Sequence, residues 1–98
     1  MPGPEATIQG KIMKYLKLHG CKAIKIVEAS VAGHADIVGC WQGYYFEMEV
    51  KVPGAKSRPL QLAKGKECEA AGGMWFEVHS LDEAKNCLNY LKDKYANN

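Results

Sequence analysis

The segment Tyr44-Tyr45-Phe46-Glu47-Met48-Glu49-Val50-Lys51 constrains this chain more than any other. Side chains alternate along an extended strand, so Phe46, Met48 and Val50 share one side while Glu47, Glu49 and Lys51 share the other. The apolar side needs a core beneath it. The charged side, on what reads as the middle strand of a sheet, needs a use.

A partner strand precedes it. Ala35-Asp36-Ile37-Val38-Gly39 is strand-like, and the short connection Cys40-Trp41-Gln42-Gly43 favours an antiparallel hairpin. Centred on Trp41-Gln42, the hairpin brings Asp36 within reach of the Glu47/Glu49 end of its neighbour. Two facing carboxylates repel. A hard divalent cation resolves that repulsion, because Mg2+ prefers oxygen, takes one or two protein carboxylates and fills its shell with water and substrate phosphate. The Lys51 ammonium then stands where it can stabilise charge growing on a phosphate or hold an attacking hydroxide. Together these residues suit metal-assisted phosphodiester hydrolysis. Taken alone the pattern also fits an ordinary charged strand face, since short motifs match by chance.

Elsewhere, Pro4 to His19 carries Ile8, Ile12, Tyr15, Leu16 and His19 at helical intervals, with Pro4 suited to a first turn and Gly20 to a stop. Ala23 to Val27 reads as a short strand and Ala29 to His34 as loop. Val52 to Pro59 must be irregular, because Pro53, Gly54 and Pro59 fall within it. This loop is basic, and its Lys56, Ser57 and Arg58 can meet a nucleic-acid backbone. A helix follows from about Leu60 to Ala71, weakened at Gly65 by ~1 kcal/mol relative to alanine and stopped by Gly72-Gly73. Met74 to Val78 reads as a buried strand. Ser80 and Glu83 form a capping box for a last helix with apolar face Leu81, Ala84, Cys87, Leu88 and Leu91, fraying over Tyr95 to Asn98. The order is α-β-β-β-α-β-α.

A length of 98 residues, 47% of them hydrophobic, suits one domain with one modest core. No apolar run approaches the roughly 20 residues of a membrane helix, and the start MPGPEATIQG lacks the layout of a signal peptide, which makes the cytosol the expected setting. Cys21, Cys40, Cys68 and Cys87 lack zinc-finger spacing and read as reduced packing residues. The net charge of +2 leaves the partner undecided. Glu47 either supports a metal from behind Glu49 or pairs with a lysine, the second being favoured. His34 reads as polar surface. Trp41 fits a dimer contact, a DNA contact or a partly buried cap, while Tyr15, Trp75 and Phe76 read as core.

Four blocks, Gly33-His34-Ala35-Asp36-Ile37-Val38-Gly39, Phe46-Glu47-Met48-Glu49-Val50-Lys51-Val52-Pro53-Gly54, Pro59-Leu60-Gln61 and Ala70-Ala71-Gly72-Gly73, resemble the successive blocks of the VRR-NUC domain, a branch of the PD-(D/E)XK nuclease superfamily. The resemblance covers nearly the whole chain, including Glu5 and Ile8-Gln9 in the first helix. Ala35 stands where the family usually has proline, a residue that shapes the strand and does no chemistry. The resemblance implies an α/β fold with a restriction-endonuclease-like core of order αβββαβα, its central mixed sheet flanked by helices, in a single nuclease domain over residues 1–98. It implies Asp36 and Glu49 as metal ligands with the Val50 carbonyl, Lys51 as the catalytic lysine, Glu5 approaching the metal from helix one, and Gln61 holding the site or the phosphate. The implied cofactor is Mg2+ or Mn2+, with no organic cofactor. Small stand-alone members of the family are homodimers of bacteria and phages that cut branched DNA such as four-way junctions, so the implied setting is the cytoplasm of a bacterial or phage-infected cell. Two-fold symmetry would place two sites on two strands. The alternatives are a non-catalytic nucleic-acid-binding module on the same fold, or a nuclease acting on flaps, linear DNA or RNA.

Overall fold

The computed structural model describes residues 3–96. The elements are α1 (Pro4–Leu18), β1 (Lys22–Lys25), β2 (Ile37–Trp41), β3 (Tyr44–Val50), α2 (Pro59–Ala70), β4 (Met74–Val78) and α3 (Leu81–Ala96). The sheet runs in the order β1-β2-β3-β4, antiparallel across its first three strands and parallel between β3 and β4. That change of direction follows from the connections: a tight turn joins β2 to β3, whereas a parallel neighbour needs a crossover, which α2 supplies. The expected αβββαβα order and central β3 are both present.

The core lies on the side of β3 that carries Phe46, Met48 and Val50, all fully buried. Ile12 and Leu16 of α1, Ala84, Leu88 and Leu91 of α3, and Ile37, Met74 and Val78 of the sheet close around them. Each fully buried large side chain contributes ~1.5–3 kcal/mol. Helix α2 sits against β3 and β4. It touches the sheet at Gly65, where a Cβ would lie 2.5 Å from the Trp75 ring.

Three local expectations change. The β2–β3 turn is the two-residue Gln42–Gly43, with φ of 50° and 86°, and Trp41 pairs with Tyr44. Both residues are left-handed, as a twist-matched two-residue hairpin requires. Relative to a turn centred on Trp41-Gln42, this preserves which face each side chain occupies and moves Asp36 from opposite Glu47 to beside Glu49. Strand β1 ends at Lys25; the Ile26 amide adds one last bond in the same register, to the Asp36 carbonyl at 2.7 Å, and Val27 beyond it is 87% exposed. Tyr95 does not fray: its ring stacks on Tyr44 with centroids 3.8 Å apart, tying the end of α3 to the hairpin. Asn97 and Asn98 lie outside the described residues.

Candidate active site

Asp36 is fixed at both its backbone and its side chain. Its carbonyl accepts the Ile26 amide at 2.7 Å and its Oδ2 accepts the Val50 amide at 2.8 Å, so it is bolted between β1 and β3 immediately before β2 begins. One further step along the ladder from the Ile37–Met48 pair puts Asp36 beside Glu49. Glu49 is 2% exposed, and its Oε2 has no hydrogen-bond partner. Burial, then the hydrogen bond to Asp36 and the Asp36 charge, push the Glu49 carboxyl up to about 8, with Glu5 adding to the rise and Lys51 opposing it. Without another positive charge the Asp36–Glu49 pair therefore holds a proton at neutral pH.

This donor set fits a hard divalent ion. A buried carboxylate oxygen without a partner costs free energy that a cation would recover. No group of three His, Cys, Asp or Glu side chains stands at ligand spacing among the described residues. The set is thus a two-carboxylate one, the kind Mg2+ uses when water and phosphate complete its shell.

The remaining expected residues fall at different distances from this pair. Lys51 is half-buried just beyond the end of β3, its amide bonded to the Val78 carbonyl at 2.9 Å, and its charge acts on both Glu49 and Glu77. Glu5, in the first turn of α1, lies close enough for its charge to raise Glu49. Val50 is buried at the end of β3, and the bond its amide makes is the one that orients Asp36. Gln61 is 8% exposed, and its Oε1 accepts the Arg58 amide at 2.8 Å. It therefore caps its own helix and has only its amide nitrogen left for a ligand. In the basic loop Lys56 and Arg58 are exposed, whereas Ser57 is buried with its amide on Glu77 Oε1 at 2.7 Å. Ser57 is an anchor of the loop and not part of its outer surface.

Other side chains resolve simply. Glu47 accepts the Tyr45 hydroxyl instead of pairing with a lysine, and no ion pair involves it among the described residues. Trp41 is a partly buried cap, stacked near Tyr44 and under Lys92. His34 bonds the Ala35 carbonyl at 2.9 Å. The cysteines are all free, Cys21 and Cys68 buried and Cys40 exposed. Tyr15 and Phe76 pack on the core from its margin.

Three residues were given no role at the site from sequence. Glu77 of β4 stands in register with Glu49, so a further carboxylate borders the site on the side of Lys51. His79 follows it in the turn after β4. Gln9, one helical turn beyond Glu5, is 6% exposed with Oε1 unpartnered. The alternation of Trp75, Glu77 and His79 was the available clue to the first two, since a glutamate inside a buried strand needs a partner.

No protein-family model matches the chain, and no curated protein matches it by sequence. A solved structure described as a VRR_NUC domain does match, with a TM-score of 0.76 over 87% of this chain and 94% of that one, at 21% sequence identity. The chain has the fold of that domain: three helices and a mixed four-stranded sheet in the order αβββαβα.

Proposed function

We propose that the chain is a nuclease of the VRR-NUC kind, a Mg2+- or Mn2+-dependent endonuclease that hydrolyses phosphodiester bonds in branched DNA such as four-way junctions. The observation that carries this reading is the Asp36–Glu49 pair: Glu49 desolvated and beside a second carboxyl, with one buried oxygen unpartnered, and flanked by the Lys51 charge. The likeness of fold supports it.

Asp36 and Glu49, with the Val50 carbonyl, would hold the ion, and Glu5 would approach it from α1 through water. A bound divalent ion polarises the phosphate and makes a neighbouring water more acidic. The Val50 amide keeps Asp36 aimed without consuming its second oxygen. Asp36 and Glu49 would give up the proton they share in order to hold such an ion. Lys51 contacts a non-bridging oxygen of the scissile phosphate and offsets the charge that grows there during in-line attack. The bond that breaks is P–O, and no covalent intermediate with the protein is needed. Lys56 and Arg58 grip the backbone, and the Gln61 amide nitrogen adds a neutral donor. Among the described residues no inserted helix or loop offers base readout, so the expected recognition is of shape.

The working unit under this reading is a homodimer acting on two strands, in the cytoplasm; no helix of the described residues is long and apolar enough to cross a membrane. The test is cleavage of labelled four-way, flapped, forked and linear DNA and of RNA, with Mg2+ and with EDTA, alongside sedimentation for the oligomeric state. Nicking of the branched substrates only with metal is expected, and Lys51→Ala should fold normally yet lose about 10²–10³-fold in rate. Cleavage persisting in EDTA, or undiminished in Lys51→Ala, removes the proposal. Junction binding without cleavage, unchanged in Asp36→Ala, identifies a non-catalytic module instead.

A further inference from the structure

The turn after β4 holds a charged cluster that the reaction above does not use. The His79 Nδ1 lies 2.8 Å from Glu83 Oε1, and its Nε2 lies 2.8 Å from the Ala55 carbonyl oxygen and 3.3 Å from Glu77 Oε2. Ionised carboxylates and carbonyls only accept hydrogen bonds. Both ring nitrogens therefore face acceptors, and the imidazolium, with two N–H groups, is the form that satisfies them. Glu83 is itself fixed, because Oε1 also accepts the His79 amide at 3.0 Å while its own amide bonds Ser80 Oγ at 3.1 Å.

The far side of this cluster is the basic loop. Ala55 is held through its carbonyl by His79, and Ser57 through its amide by Glu77 at 2.7 Å. These two backbone tethers bracket Lys56, whose side chain stays exposed, and Arg58 follows at once. A stretch made irregular by Pro53, Gly54 and Pro59 is thus fastened to β4 and, through His79 and Glu83, to α3.

We propose that charged His79, braced by Glu83 and Glu77, is a positioning residue that fastens residues 55–58 in the shape that meets a nucleic-acid backbone. The proposal rests on the reading of Lys56 and Arg58 as phosphate contacts.

The charged groups that act on the ring are Glu83 from α3 and Glu77 from β4, and the clefts beside it are lined by Asp82 from α3, Lys56 from the loop and Lys11 from α1. The Glu83 hydrogen bond first, then the Ala55 carbonyl, hold His79 charged to higher pH than an ordinary histidine; desolvation opposes them, and the charges of Glu83 and Glu77 add smaller support. The clamp is fully made below the ordinary value of about 6.5 and opens as pH rises through the elevated one. A neutral imidazole has one N–H, so either Ala55 or Glu83 is then released.

The experiment is fluorescence anisotropy of a labelled four-way junction in EDTA, from about pH 5.5 to about pH 9, with NMR of the His79 ring over the same range. The wild type should weaken about 3- to 10-fold across the His79 titration, the worth of one net hydrogen bond. His79→Gln should bind weakly and without that pH step, at unchanged kcat on saturating junction with Mg2+. Glu83→Gln, an exposed substitution, should retain the step with its midpoint moved to lower pH. A ring that titrates at or below the ordinary histidine value overturns the clamp. So does a His79→Gln or Glu83→Gln protein that follows the wild-type profile. Absence of junction binding by the wild type at every pH overturns the nuclease reading and the clamp's purpose together, whereas binding with a flat profile overturns the clamp alone.

Discussion

Glu49 is a residue at which stability and chemistry oppose each other. An acid whose carboxyl is pushed up to about 8 by burial and by Asp36 keeps a proton on folding that the unfolded chain loses near its ordinary value, about 4.3. The sign follows: the metal-free protein is most favoured below that ordinary value and loses stability as pH rises to about 8. Glu49→Gln keeps the shape and removes the charge. In EDTA it should match the wild type near about pH 4.5 and exceed it by roughly 1–3 kcal/mol above about pH 8, while cleavage disappears. Urea unfolding at a series of pH values measures this, and equal slopes for the two proteins would refute the shared proton. At this scale the sequence was legible where the rule is local. The two-residue period alone puts Glu47, Glu49 and Lys51 on one face, whereas Glu77 enters through a parallel pairing whose register depends on how α2 packs.

At the scale of elements, the seat of α2 on the sheet decides how Lys51, the basic loop and Gln61 sit relative to one another. Propensity ranks Gly65 as a weak point worth ~1 kcal/mol against alanine, yet the helix lies so close to β4 that a Cβ there would meet Trp75 ring atoms at 2.5–2.9 Å. The contacted atoms, Cγ, Cδ2 and Cε2, are the ring's inner atoms and not the far end of a flexible side chain. Gly65→Ala should therefore destabilise by about 1–3 kcal/mol despite its better propensity, read as a lower urea midpoint. A more stable variant would mean that the helix slides outward freely. Element order and type were readable because each segment carries its own period. Their ends were not, where a tertiary contact sets them: Tyr95, which reads as a frayed end, is held by Tyr44. The hairpin turn differed by one position because it places a non-glycine residue, Gln42, at φ 50°, which turn chemistry does not favour.

Across the whole molecule, the candidate ligands come from segments that only folding brings together: Glu5 from α1, Asp36 from the approach to β2, and Glu49 from the centre of the sheet. An ion held by such a set binds the folded state and not the unfolded chain, so its binding energy appears as stability. At a free concentration tenfold above its dissociation constant that is about 1.4 kcal/mol, or about 5–10 °C in Tm for a domain of this size. The shift has a pH signature of its own. Below neutrality the ion must expel the proton that Asp36 and Glu49 share, whereas above about 8 it meets a pair already ionised and repelling. Thermal melts with Mg2+ or Mn2+ against EDTA should therefore separate more widely at high pH than at low pH. The separation should vanish in Asp36→Asn and in Glu49→Gln, and persist in Lys51→Ala, which keeps both carboxylates. This measurement needs no substrate and so separates the metal site from the choice of DNA. Melts that superimpose at every pH would leave the acidic pair as a strained structural feature and favour a fold that binds nucleic acid without cutting it.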